Sequence, residues 1–475
     1  MSFAEWEYLP FLLVVLGAFQ FVPRRARALF LLAASYAFYA WWSALHCLLL
    51  LASTAVDYGV GLALHATQNR RRRKLLLLLS IAVNLALLAV FKYGGFAAEN
   101  LNRLLDVTGG GPIPWRELVL PLGISFYTFQ TLSYSIDVYR RTIEPCRNPI
   151  DYALYVSFFP QLVAGPIERA GHLIPQLRRL ELLSPGNFSL GARRILWGLL
   201  KKTVVSDRLI AFAMPVVRDP GAHDPVTLYT AATTMVAVLY LDFSAYTDIA
   251  RGSARLFGVE LVPNFDRPFL RRESSEFWTR WHTSLNDWIA DYVHAPLSRA
   301  RLSQWLLWRN NLIAMGLFGL WHGASWKFLL LGLLVGVFVS FRHSLRLRRR
   351  LAGLPPRREN GGPLRQLGRW YLMILACTAA ISLFFAPDVP TALTLYAGLW
   401  PDGAPQLAWF TAEIGTVFSV LALCMAGHAA GALTDLDALW RRAGPLGRTA
   451  WFLGLTWVVL RYRVVVPEVF IYFQF

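Results

Sequence analysis

Residues 316–326 read GLFGLWHGASW. One ionisable side chain, His322, stands in this apolar run. Trp321 and Trp326 flank it, and Gly316, Gly319 and Gly323 form a small-residue setting in which Gly319 has no role of its own. The chain continues as LLGLLVGVFVSF (330–341), apolar enough to lie in a bilayer. An ionisable group at membrane depth is costly, which makes it a functional-site hypothesis by default. Histidine also titrates at about 6.5, which suits proton transfer at neutral pH. The competing reading is a core histidine, lined by aromatic rings and satisfied by one hydrogen bond. Spacing alone leaves both readings open.

The composition around this stretch is that of an all-α polytopic membrane protein. Of 475 residues, 56% are hydrophobic and only 16% charged, and the mean hydropathy is +0.42; such values belong to membrane chains rather than soluble domains. The formal net charge is +18, from 47 Lys and Arg against 29 Asp and Glu. A basic balance can mean nucleic acid, but here the arginines cluster between apolar runs, where cytoplasmic loops need them. The partners expected are therefore the lipid bilayer and substrates, with no nucleic acid. Cys47, Cys146, Cys377 and Cys424 are scattered without a CxxC pair. They read as small buried hydrophobes and imply neither disulfide nor metal.

Apolar runs near membrane-spanning length give about 11–12 crossings. They lie at Trp6–Val22, Leu29–Trp42, His46–Leu64 (carrying Asp57), Leu75–Phe91, Leu118–Val138, Thr203–Val217, Leu228–Tyr246, Leu306–Trp321, Trp326–Phe341, Trp370–Phe385, Leu407–Ala432 and Ala450–Leu460. The first run carries no cleavage signal and is expected to stay as a span. The basic clusters 24–27, 70–74, 140–141 and 342–358 are expected in the cytoplasm. That rule puts the N-terminus and residues 96–117 outside. No repeat and no separate soluble domain is visible, so residues 1–475 read as one transmembrane domain.

Four stretches are polar where apolar residues are expected. PLGISFYTFQTLSYSIDVYR (121–140) has a proline suited to a helix start, then Ser125, Tyr127, Thr128, Gln130, Ser133 and Asp137 at helical spacing. Hydroxyls of this kind read first as interhelical packing groups. FFPQLVAGPIERAG (158–171) lies in a short apolar segment broken by Pro160, Gly165 and Pro166, which suggests a re-entrant or interfacial piece. YLDFSAYTDIARGSARLFG (240–258) sets Asp248, Arg251 and Arg255 at ion-pair spacing, a helical charged face rather than a metal site. The stretch 264–297 carries His282, His294 and three tryptophans. It is either an interfacial segment with aromatic anchors or the lining of a polar cavity.

HEXXH, P-loop and GxSxG patterns are absent. There remain a membrane-embedded histidine, a second histidine on a charged re-entrant stretch, and no nucleophile of the chain's own. That suits direct transfer, with histidine as base and a bound hydroxyl as nucleophile.

Taken together, FKYGGF (91–96), PLGISFYTFQTLSYSIDVYR, FFPQLVAGPIERA, DFSAYTDIARGSARLFG, NFDRP, FWTRWHTSLNDWIADYV, LWHGASW and the terminal FIYFQF resemble the membrane-bound O-acyltransferase (MBOAT) family. The branch they are most similar to is the bacterial membrane subunit that O-acetylates alginate; teichoic-acid D-alanyl transferases are more distant. The resemblance runs from about residue 91 to the end. It implies that His322 matches the family's catalytic histidine and His282 its second histidine. It also implies acyl transfer from a cytosolic thioester, acetyl-CoA by analogy, through a channel across the bilayer. The acceptor would be a hydroxyl of an exported polysaccharide or a periplasmic partner acetyltransferase, and the location the bacterial inner membrane. The chain departs from the branch at 290–300, where Ala290-Asp291-Tyr292 precedes VHAPLSRA, a stretch the family ties to the donor or partner surface.

Overall fold

The computed structural model describes the chain except residues 1–2, 4, 6, 272–273, 299–302, 355–361, 401–411, 434–435, 465–469 and 472–475. Those gaps take in the end of the basic run 342–358, the start of the expected span 407–432, the last residues of 290–300 and most of FIYFQF. Among the described residues the secondary structure is helical, with one isolated bridge between Phe265 and Trp281. Among the described residues, five helices are long and apolar enough to cross a membrane: Arg24–Ala66, Arg70–Thr108, Pro225–Arg255, Trp326–Arg349 and Leu364–Phe385. Tyr8–Phe19 and Ile414–Gly427 are shorter apolar helices. The protein is an all-α polytopic membrane protein.

The first of the five doubles back. Ser43 has extended backbone angles (φ −162°, ψ 112°) inside Arg27–Ala66. The Cys47 thiol consequently lies 3.9 Å from the Tyr36 carbonyl oxygen. A continuous helix would separate residues eleven apart by roughly 16 Å. The separate runs 29–42 and 46–64 are thus two limbs joined at Ser43. Two other expectations shift. The helix after Arg70 passes through a π-turn, Ala89–Tyr93, and continues to Thr108. The run read as Leu118–Val138 becomes helical only at Ile124, after Gly123 takes a left-handed turn (φ 73°) that a side chain would resist. The runs 203–217 and 306–321 do not reach the length and apolarity of the five. The first holds a 12-residue helix, Asp207–Arg218, and the second carries Arg309, Asn310 and Asn311.

The chain forms two compact units, Met1–Ile195 with Tyr246–Pro263, and Leu196–Ala245 with Asn264–Phe475. In the first, Phe11, Phe38, Phe159 and Phe257 pack ring on ring at 5.4–6.0 Å, and the buried Tyr8 hydroxyl donates to Ser253 at 2.6 Å. The hydroxyl-rich helix Ile124–Arg140 is interior glue, as its pattern suggests. Gln130 donates to the Tyr155 carbonyl (2.6 Å), Thr131 to Asn84 (3.1 Å) and Ser135 to Asp57 (2.8 Å). In the second, Leu228, Met235, Val238, Phe269, Phe277 and Trp281 belong to one apolar core. At membrane depth such a core is held by close van der Waals packing rather than by removal of apolar surface from water.

Candidate active site

The GLFGLWHGASW stretch forms the turn of a helical hairpin. The helix Gln304–His322 starts with the Ser303 hydroxyl accepting from the Leu306 amide at 3.2 Å, an N-cap. It ends on the histidine itself; residues 323–325 turn the chain, and Trp326 opens the next helix, which runs to Leu351. The two helices cross at glycines. A Cβ on Gly319 would fall into the Phe328 carbonyl oxygen, one on Gly332 into the Met315 carbonyl oxygen, and one on Gly323 into the Phe328 ring. Gly319 therefore has a definite role, contrary to its reading as mere setting: it permits backbone contact that no other residue type allows.

This crossing leaves His322 8% exposed. Its ring lies edge-on to Phe318 (4.9 Å), Trp321 (5.0 Å) and Phe384 (5.3 Å). The two flanking tryptophans differ: Trp321 is buried in this wall, whereas Trp326 is exposed.

His282 comes from the tryptophan-rich stretch, between the short helices Ser274–Arg280 and Thr283–Ile289. Just ahead of it, the Asp266 amide donates to the Arg280 carbonyl at 3.1 Å beside the Phe265–Trp281 bridge. The Asn286 amide donates to the carbonyls of Trp278 and Trp281, each at 2.5 Å. The imidazole is fully buried, 4.6 Å from the Phe243 ring and 5.5 Å from the Trp321 ring. Burial holds it well below the ordinary imidazole range, and His322 pushes the same way. Trp321 is thus in ring contact with both imidazoles, and the two predicted residues meet in one aromatic wall. His294, from the same stretch, faces elsewhere, with Asn311 and Ser298 at 3.2 and 3.3 Å.

Phe243 leads to a charged cluster that sequence reasoning missed. Its neighbour Asp242 receives the Lys202 ammonium at 2.7 Å and the Ile471 amide at 3.0 Å, and Lys202 also reaches Asp207 at 2.9 Å. All three side chains are almost wholly buried. Lys202 lies in a π-helical turn, Leu200–Ser206, at the edge of an expected span, where a lysine reads as a membrane-surface anchor. The sequence does show Asp242 in an apolar run, with no basic residue three or four positions away. The acid that Arg251 and Arg255 share is Glu260, beyond the end of their helix, at 3.8 and 3.1 Å, where the spacing had pointed to Asp248 on the helix itself.

An apolar cavity of about 150 Å³ lies beside Tyr240, which is 6.2 Å from Trp281; Val236, Phe269, Trp370, Cys424 and Met425 also line it. Among the described residues no three His, Cys, Asp or Glu side chains converge as metal ligands.

The profile of the membrane-bound O-acyltransferase family matches residues 146–385, a range that holds both histidines and the Lys202 cluster. The chain is 35% identical over 402 residues to a probable alginate O-acetylase AlgI of Azotobacter vinelandii, covering 83% of this chain and 76% of that one. It is 34% identical over 343 residues to a peptidoglycan O-acetyltransferase of Helicobacter pylori, covering 66% and 63%. A teichoic acid D-alanyltransferase of Streptococcus thermophilus is 26% identical over 261 residues, covering 50% and 62%. The chain belongs to the membrane-bound O-acyltransferase family and is a membrane O-acyltransferase.

Proposed function

We propose that this protein moves an acetyl group from a cytosolic thioester, acetyl-CoA, to a hydroxyl of an exported polysaccharide or of a periplasmic partner acetyltransferase at the bacterial inner membrane. The observation that carries the reading is that His322 and His282, both buried, contact the same ring, Trp321. In the proposed step a ring nitrogen of His322 takes the acceptor's proton as its oxygen attacks the thioester carbonyl. The new C–O bond forms, the C–S bond breaks, and the departing thiolate takes the proton from the imidazolium. General-base assistance of this kind contributes about 10²–10⁴-fold. His282, kept neutral by burial, orients the thioester by hydrogen bonding to its carbonyl oxygen.

The test is ester-linked acetyl on the exported polysaccharide of cells carrying His322→Ala, His322→Gln or His282→Ala at matched membrane abundance. Both His322 variants should insert and lose transfer, and His282→Ala should lose it less uniformly. Full acetylation by His322→Ala would end the catalytic reading and leave a transporter with a polar path. The likeness to a D-alanyltransferase supports a second reading, D-alanyl transfer from a carrier protein. Mass analysis of the alkali-released esters separates D-alanine from acetate.

A further inference from the structure

Three non-glycine residues among those described take a positive φ, and two of them, Arg267 (50°) and His282 (46°), belong to one loop system. A left-handed residue with a side chain is strained and persists only where its surroundings impose it. Glycine would adopt this turn freely. The chain places an imidazole there instead, held against that strain by its neighbours.

The restraint comes from Asn264. Its side chain is fully buried. Its backbone carbonyl accepts from the Thr283 amide at 2.9 Å, and its side-chain oxygen accepts from the Ser284 hydroxyl at 2.6 Å. One residue thus grips both positions after His282. The next two residues, Phe265 and Asp266, hold the two positions before it, Trp281 and Arg280. Residues 264–266 therefore form a splint along 280–284, on both sides of His282. A neutral amide suits the place, because a carboxylate there would bury a further charge.

We propose that Asn264 and Ser284 are positioning residues for acyl transfer: their hydrogen bond fixes the left-handed turn that aims the His282 imidazole at Trp321. This rests on the assignment of His282 to the acyl-transfer site. Misplacing a catalytic group by about 1 Å can cost about a hundredfold in rate.

The experiment tracks radiolabelled acetate into polysaccharide esters in cells, at matched membrane abundance, together with the melting temperature of each detergent-purified variant. Ser284→Ala should lose about ten- to a hundredfold in transfer rate at a near-parental melting temperature. Ser284→Thr, which keeps the hydroxyl, should recover most of it. The double variant Asn264→Ala with Ser284→Ala should be no slower than Asn264→Ala alone, since the two act as one unit. Parental transfer by Ser284→Ala beside an inactive His282→Ala would overturn the clamp and leave the site reading standing. So would a rate loss that only tracks melting temperature, or a Ser284→Thr as slow as Ser284→Ala. Parental transfer by His282→Ala would instead remove the site reading, and the clamp with it.

Discussion

Both units bury carboxylates, and they satisfy them in different ways. In the first unit Asp57 is held by neutral donors: the hydroxyls of Ser80 and Ser135 and the amide of Asn84 at 2.7 Å. Asn84 in turn accepts from Ser53 and Thr131 at 3.0 and 3.1 Å. In the second unit one ammonium, Lys202, answers two carboxylates. The histidines diverge as well. His172 of the first unit is 2.7 Å from Glu168, which raises it above the ordinary imidazole value, whereas His282 sits among carbon rings and is lowered. Spread over several donors, a polar interior tolerates the loss of one; concentrated on a single cation, it does not.

Lys202→Met puts that contrast under the greatest strain. It takes the shared cation from Asp207 and Asp242, and breaking a buried ion cluster from one side costs about 3–5 kcal/mol. Ser135→Ala removes one of several donors to Asp57 and should cost about 1 kcal/mol. Denaturation midpoints of the purified variants measure both. Equal losses would break the comparison. A triple variant with Asp207→Asn and Asp242→Asn should regain part of the Lys202→Met loss.

At the hairpin, Gly319→Leu should destabilise by about 1–3 kcal/mol, the usual range for overpacking, and should displace His322. Acyl transfer should then fall further than abundance. Gly454→Leu, where nothing lies within 4 Å of a new Cβ, should change neither. A silent Gly319→Leu would mean the crossing is looser than its backbone contacts.

The smallest effect is one of pH. Because His282 is lowered in the folded protein, the unfolded chain takes up its proton first as pH falls through about 6.5. Its contribution to stability is therefore present above that pH and lost below it. His172 is raised, so its contribution is full below the ordinary imidazole value and lost as pH rises through the higher folded one. Melting temperatures measured from about pH 5 to about pH 8 should show His282→Gln flattening the acid side and His172→Gln the alkaline side. An unchanged acid slope in His282→Gln would contradict the burial assigned to that ring.

The helical hairpin and its histidine were legible because local pattern decides them: a run of apolar residues, a glycine, a second run. The turn at Ser43 was legible for the same reason, as a break between two runs. Asn264 and Ser284 lie twenty positions apart and meet only through the tertiary loop, so no periodicity announces them. Lys202 was hidden because its two partners lie 5 and 40 positions away and its helix is locally π-wound, which turns the expected helical face. The start of the helix at Ile124 was misplaced because Pro121 suits a first turn, while Gly123 sets the actual one.

The glycine crossing also governs where this chain can change in length. Each inserted residue rotates the downstream part of a helix by about 100° around its axis. One residue added between Met315 and Gly319 would swing the glycine away from Phe328 and bring a bulkier neighbour against that carbonyl. Insertions and deletions are thus barred from the facing stretches 315–319 and 328–332 unless both change together. The depth of His322 is passed on as a fixed count of residues from the crossing, much as a mortise fixes the shoulder of a joint.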